Sequence, residues 1–273
     1  MNQTNQQRKE PRLPESNIAE SAVRRQMLKS FGWFALASAV PLGVYSWIKS
    51  SPKLLGAKKP LRRVLDANEQ IARTYFSNAN LVKTFPVEAA VKNARVNGFD
   101  GIRTPLPTDW KLHIDRSGQE PQKPLLLTMD DIRALPKHEL IYDFKCVEGW
   151  SQIQHWGGAR FSDFMVANKV GTHSGNAPTP DNTDDLYKHV GMETPDKSYY
   201  VGIDMESAMH PQTLLAYELN GQPISNGHGA PLRLIIPVKY GVKNLKRIGR
   251  IFFSDTRPRD FWTERGYDYY VGL

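Results

Sequence analysis

From residue 64 onward the apolar positions come in short runs separated by turn residues: Trp110–Ile114, Pro124–Leu127, Leu140–Val147, Tyr199–Ile203, Leu214–Leu219, Leu232–Val238 and Arg250–Phe253. That spacing predicts many short strands. Two helices are predicted between them. Thr128 caps one running toward Leu135, with Asp130 and Asp131 at its positive end, and Phe161–Val170 forms the other. Asn220-Gly221, set between the apolar run 214–219 and Pro223-Ile224, predicts a tight hairpin. The polar stretch Lys169–Lys188, rich in Gly, Pro, Asn and Asp, predicts a long irregular loop. No repeat or heptad interrupts this order. The expectation is one α+β domain of mixed sheets and short helices over residues 64–273.

The first sixty residues follow other rules. Residues 1–22 are polar and are expected to form a mobile tail. Arg24-Arg25-Gln26-Met27-Leu28-Lys29 then leads into the apolar run 31–48, broken only by Pro41 and carrying Trp33, Tyr45 and Trp47 near its ends. Adjacent arginines before such a run resemble a twin-arginine export signal. The expected organisation is a tail with the twin-arginine motif (1–30), a transmembrane or signal helix (31–48) and a Lys/Pro/Ser-rich linker (49–63). Ala37-Ser38-Ala39 has cleavage-site spacing, but a cut there leaves little apolar length with Pro41 close behind, so retention is favoured. The corresponding location is the periplasm, anchored to the inner membrane.

Composition narrows the partners. The 273-residue chain is 40% hydrophobic, enough for a core, and carries a formal charge of +8 with pI near 9.4. That charge suits an anionic membrane or a phosphate-bearing cofactor. Export and the lack of a basic aromatic stripe set nucleic acid aside. One cysteine, Cys146, excludes an internal disulfide framework and any cysteine-rich metal cluster.

Two segments carry candidate chemistry. Phe144-Lys145-Cys146-Val147-Glu148-Gly149-Trp150-Ser151 places the thiol at a strand end, where it faces a loop, and thiolates suit soft, redox-active metals. The second runs from Gly227-His228-Gly229-Ala230-Pro231-Leu232-Arg233 to Lys239-Tyr240-Gly241-Val242-Lys243-Asn244-Leu245-Lys246. Glycines beside a histidine let amides approach an anion, and Arg233, Lys243 and Lys246 add positive charge. Taken alone, the pattern fits a phosphate cradle or a solvated basic face equally well.

In this order the two segments resemble the molybdopterin-binding core of the sulfite-oxidase family. Cys-Val-Glu-Gly-Trp-Ser is most similar to the branch of bacterial periplasmic methionine-sulfoxide reductase catalytic subunits, which also carries a twin-arginine signal. The resemblance covers roughly residues 125–255. It implies a molybdenum–molybdopterin cofactor, one pterin per metal, with Cys146 as the protein ligand. By position it nominates Thr194, His228, Arg233, Asn244, Leu245 and Lys246 for the cofactor, with Asn68 and Arg73 matching more faintly as cofactor or substrate contacts. Tyr217, in Leu-Ala-Tyr-Glu-Leu-Asn-Gly, matches the active-site tyrosine of sulfite oxidases, whereas Cys146 lacks their following Gly-Asn-Arg-Arg run.

The resemblance implies oxygen-atom transfer, with reduction of a sulfoxide or related S- or N-oxide favoured and sulfite oxidation as the alternative. Tyr217 would donate near the reacting oxygen, and Arg73 or Lys239 would steer an anionic substrate. No Cys-x-x-Cys-His haem motif is present. Electrons are therefore expected to pass through a separate cytochrome, either a membrane b-type haem subunit or a soluble one. The end at Leu273 leads to the expectation of a monomeric unit without the C-terminal dimerisation domain of sulfite oxidases. A membrane-anchored binding or scaffold protein is the non-enzymatic alternative.

Overall fold

The computed structural model describes residues 16–115, 123–179 and 182–272. They divide into two compact units, one up to Pro52 and the other from Lys53 onward.

The first unit is a single helix, α1 (Ser16–Ser50). Its stretch Arg25–Ser50 is long and apolar enough to cross a membrane, and no other helix among the described residues is. The mobile tail expected over 1–22 is corrected from Ser16 onward, where Ala19, Glu20 and Ala22 are strong helix formers that extend the apolar helix backward. The remainder of that tail, 1–15, lies outside the described residues.

The second unit begins with a hairpin, β1 (Lys53–Leu54) and β2 (Ala57–Lys58), followed by α2 (Lys59–Tyr75). Then come β3 (Leu112–Ile114), β4 (Leu125–Leu127), α3 (Met129–Arg133), β5 (Lys137–Lys145), β6 (Ser151–Arg160) and α4 (Phe161–Asn168). They are followed by β7 (His189–Glu193), β8 (Tyr200–Asp204), α5 (Met205–Ala208), β9 (Leu214–Leu219), β10 (Gln222–Pro223), β11 (Arg233–Ile235) and β12 (Arg250–Ser254). The fold is α+β, with two five-stranded sheets. One is ordered β10-β9-β6-β5 with β11 also on β9; the other is ordered β4-β3-β12-β7-β8. All pairs are antiparallel except β12 with β3.

The linker expected over 49–63 is likewise corrected. Leu55 and Gly56 turn the hairpin at positive φ, and a Cβ on Gly56 would lie 2.4 Å from Gly266 N. Pro60 stands in the first turn of α2, where its missing N–H costs nothing. Arg62 then fastens the segment, donating to Leu55 O (2.6 Å), Tyr267 O (2.8 Å) and Thr263 O (3.0 Å). Other local expectations hold. Thr128 and Asp131 form a reciprocal capping box on α3, and Asn220-Gly221 turns β9 into β10 with both φ angles positive. Strand β6 was not anticipated, because Gln-Ile-Gln-His-Trp-Gly-Gly has no apolar run and is buried only by lying between β5 and β9.

Alternation gives the first sheet two different faces. Leu215, Leu234 and Tyr217 turn toward the main core, which they share with Ile114, Met192, Ile203 and Ile251 of the second sheet. Leu140, Tyr142, Phe144, Trp156, Leu214 and Ala216 form a smaller cluster on the opposite face. With a strand period of two, Cys146 continues the row Leu140, Tyr142, Phe144 onto that second face.

The C-terminal segment locks down through buried charge. Lys243 Nζ meets Asp260 Oδ2 at 2.5 Å and Gly202 O at 2.8 Å, while Asp260 also accepts from Gly202 N, Thr263 N and Thr263 Oγ1. Lys239 pairs with Asp204 at 2.9 Å, and Glu69 of α2 reaches Arg257 at 2.5 Å. Removing one partner of such a pair strands the other charge. Asp260→Ala is expected to lower stability by about 3 kcal/mol in urea unfolding; a loss below about 1 kcal/mol, the range of an exposed pair, would show that the cluster contributes little.

Candidate cofactor site

Where β5 ends, the chain makes a tight turn. Cys146 N–H donates to Trp150 O (3.0 Å), Gly149 N–H donates to Cys146 O (3.1 Å), and Gly149 takes a φ of 86°, which glycine adopts without steric cost. The turn leaves Cys146 as a free thiol, 7% exposed, in the wall of a cavity of about 180 Å³. Asn97 Nδ2 lies 3.8 Å from its Sγ. Trp150 stacks on Phe144 (6.1 Å, 27°), and its indole N–H donates to Glu148 Oε2 (3.2 Å). Arg95, also in the cavity wall, lies over the Trp150 ring at 4.9 Å.

The far wall is basic. Arg233, on β11, is 4% exposed and lies 4.6 Å over the Trp156 ring. It donates to His228 O (2.9 Å) and Asn244 O (3.3 Å), and its Nε is buried with no hydrogen-bond partner. Burial pushes this guanidinium down to about 10. His228 engages Ser225 Oγ through Nδ1 (2.9 Å), while its Nε2 is buried without a hydrogen-bond partner of good geometry. Burial, then Arg233 and Lys246, lower its pKa and keep the ring neutral. Lys246 donates to Gly227 O (2.7 Å), Asn97 O and Gly98 O (both 2.8 Å), tying the early segment to the cradle. Gly229, at φ 101°, has no room for a side chain: a Cβ would lie 2.8 Å from Lys246 Cα.

The cavity therefore unites Cys146, His228, Arg233, Asn244 and Lys246 from the sequence expectations. Asn244 contributes by structure, accepting from Ile236 N–H (2.8 Å) and donating to Tyr240 O (3.2 Å). Thr194 stands behind the wall, bonding Asp196 (2.6 Å) and the backbone of Tyr199, whose ring does line the cavity. Leu245 is core, and its carbonyl accepts from Leu234 N–H.

The remaining nominees lie elsewhere. Asn68 is exposed on α2; Arg73 pairs with Glu69 and Glu206, both at 3.7 Å; Lys239 is buried against Asp204. Tyr217 has no partner of its own on β6, since Ala216 pairs with Gly158 and Glu218 with Gly157. At this bulge its ring turns into the main core, away from the cavity face.

Asn97, Trp156, Tyr199 and Tyr267 are cavity residues that sequence reasoning did not find. Asn97 lies in the strand-free stretch 76–111, at the turn dipeptide Asn97-Gly98.

A buried thiol and a buried guanidinium line one cavity, an arrangement suited to an anionic cofactor. The chain belongs to the oxidoreductase molybdopterin binding domain family, whose model matches residues 101–262. Among curated relatives, the protein-methionine-sulfoxide reductase catalytic subunit MsrP of Campylobacter jejuni is 37% identical over 163 residues, covering 56% of this chain and 52% of that protein. Its namesake in Xanthomonas axonopodis pv. citri is 29% identical over 264 residues, 92% of this chain and 76% of that protein. The chain spans about half the length of the first curated relatives it matches. Among solved structures, the sulfane dehydrogenase SoxCD from Paracoccus pantotrophus matches with a TM-score of 0.44 and 18% identity, over 66% of this chain and 46% of that one.

Burial and Arg233 push the Lys246 ammonium down to about 7, whereas a lysine in an unfolded chain titrates near about 10.4. Between those values the unfolded chain binds more protons, so this stabilising contribution grows as pH rises and is lost as pH falls through about 7. Lys239, pushed down to about 8, acts in the same direction. Cofactor-free protein is expected to gain stability between about pH 7 and about pH 9, with Lys246→Met removing part of the gain in urea titrations at each pH; an identical slope in the variant would contradict the assignment.

Proposed function

We propose that this chain is an exported, membrane-anchored molybdenum oxidoreductase that removes an oxygen atom from a sulfoxide or related S- or N-oxide. One observation carries the proposal: Cys146 lines the same cavity as His228 and Arg233, and the buried Arg233 Nε has no hydrogen-bond partner. A molybdenum–molybdopterin fits this wall. Among the described residues no cluster of three His, Cys, Asp or Glu could cage a metal, so a single protein thiolate suits an ion whose other ligands arrive with an organic cofactor. Cys146 would ligate the metal. Arg233 and His228 would bind the phosphate-bearing end, with Lys246 and Asn244 holding the loops that frame it.

When bound, the cofactor supplies the oxygen-atom acceptor and the two-electron redox centre. The protein's own part is position and charge. Asn97, whose side-chain amide donates to the Cys146 sulfur, would orient it. Glu148, held by the Trp150 indole, is a carboxylate of the cavity wall and would be the acid–base group available to the substrate. Reduction of the sulfoxide consumes two electrons and two protons and releases the sulfide and water. A cytochrome-type partner, either a membrane b-type haem subunit or a soluble cytochrome, is proposed as the electron source. The names of the relatives favour a sulfoxide substrate. Sulfite oxidation loses its main sequence support, because Tyr217 lies outside the cavity. Export through the twin-arginine signal with retention of α1 places the domain in the periplasm, on the inner membrane.

Elemental analysis of protein from a cofactor-competent host is expected to show molybdenum, and Cys146→Ser to lose it while keeping its circular dichroism spectrum. A metal-free wild type would favour a binding or scaffold role instead. In a dye-donor assay, wild type is expected to turn over sulfoxides but not to oxidise sulfite. Tyr217→Phe should leave the sulfoxide rate unchanged; a large fall would return this tyrosine to catalysis.

A further inference from the structure

Helix α2 is docked by one face only. Arg62 and Glu69 are buried on that face. Next to it, at intervals of three and four residues, runs an apolar stripe that nothing in the second unit covers: Leu61 (46% exposed), Val64 (56%), Ile71 (59%) and Tyr75 (79%), with Asn68 between them. At a rise of about 1.5 Å per residue the stripe is about 21 Å long. The hairpin before it exposes Leu54 and Leu55 as well. Leu55 takes a φ of 47° at the turn, a strained choice for a branched apolar side chain where Asn or Gly would be free of cost. Round the helix from the stripe come Arg63, next to Val64, and then Lys59, whose long side chains can reach back toward the same surface. Together with Lys53 these cations are exposed and have no acidic partner among the described residues.

We propose that the hairpin and α2 lie flat on an anionic lipid surface, with the leucines and the Leu61–Tyr75 stripe in the headgroup boundary and the cations on lipid phosphates. The inference rests on α1 being retained as an anchor. Chain continuity then favours lipid over a partner helix: only residues 51–58 separate the end of α1 from the start of α2. A bilayer crossed by α1 therefore meets α2 within a short length of chain. An apolar stripe beside a basic face is the pattern of interfacial helices, and Tyr75 at its end suits the same boundary.

The test uses the full-length chain carrying a photo-crosslinking amino acid in place of Ile71 or, on the polar side of the same helix, in place of Gln70. It is reconstituted into vesicles of phosphatidylcholine with phosphatidylglycerol, irradiated and weighed by mass spectrometry. Lipid adducts are expected at Ile71 several-fold above Gln70, falling when Lys59→Glu and Arg63→Glu are added or when phosphatidylglycerol is omitted. Equal capture at both positions, or adducts at Ile71 with protein rather than lipid, would overturn the proposal. A chain that floats with the vesicles without lipid capture at Ile71 overturns the docking alone. A chain that does not float overturns the anchor as well.

Discussion

The Arg233 guanidinium is buried against Trp156 with carbonyl oxygens on two sides, no carboxylate and an unpartnered Nε. Taking such a charge out of water costs several kcal/mol unless a counter-charge arrives. The surrounding chain holds that charge in place rather than cancelling it. His228 and Asn244 supply carbonyls, Gly229 lets the loop approach Lys246, and Lys246 brings a second cation bonded only to carbonyl oxygens among the contacts described. The cradle has a cation-lined gap that an anionic group would complete. Binding such a group and stabilising the fold are therefore linked.

The thiol reaches this charge by a separate route. A strand period of two carries Leu140, Tyr142, Phe144 and Cys146 along one face of β5, and β11 presents Arg233 on that same face while Leu234 turns to the core. One sheet thus serves as core wall on one side and site floor on the other. Alternation along β9 puts Tyr217 with Leu215 on the core side.

A second set of buried charges does purely structural work. Lys243 with Asp260, Lys239 with Asp204, and Glu69 with Arg257 tie β8, the C-terminal segment and α2 together. Lys243 and Lys239 look in the sequence like more of the phosphate cradle, lying among the same glycines and basic residues. Their burial beside aspartates separates them from Lys246, which lines the cavity. Residue type and spacing do not distinguish a cation neutralised by a carboxylate from one left open to a ligand.

Local chemistry was legible in the amino-acid order. The capping box at Thr128 and Asp131, the Asn220-Gly221 hairpin, α4 and the strand-end placement of Cys146 all depend on neighbours within a few residues, and all appear in the structure. That His228, Arg233 and Lys246 would come together was legible for the same reason, because they lie within one twenty-residue segment. Tertiary structure decided whatever depends on distant partners. Asn97 comes to Cys146 from a stretch without periodicity, held there by Lys246 far along the chain. Strand β6 is buried by its two neighbours and not by its own hydrophobicity, and the supposed linker becomes a hairpin and helix because Arg62 finds carbonyls some two hundred residues away. Short-range propensities and caps are encoded where they act; which face a side chain occupies and which charge finds a partner are settled only when remote segments are brought into contact.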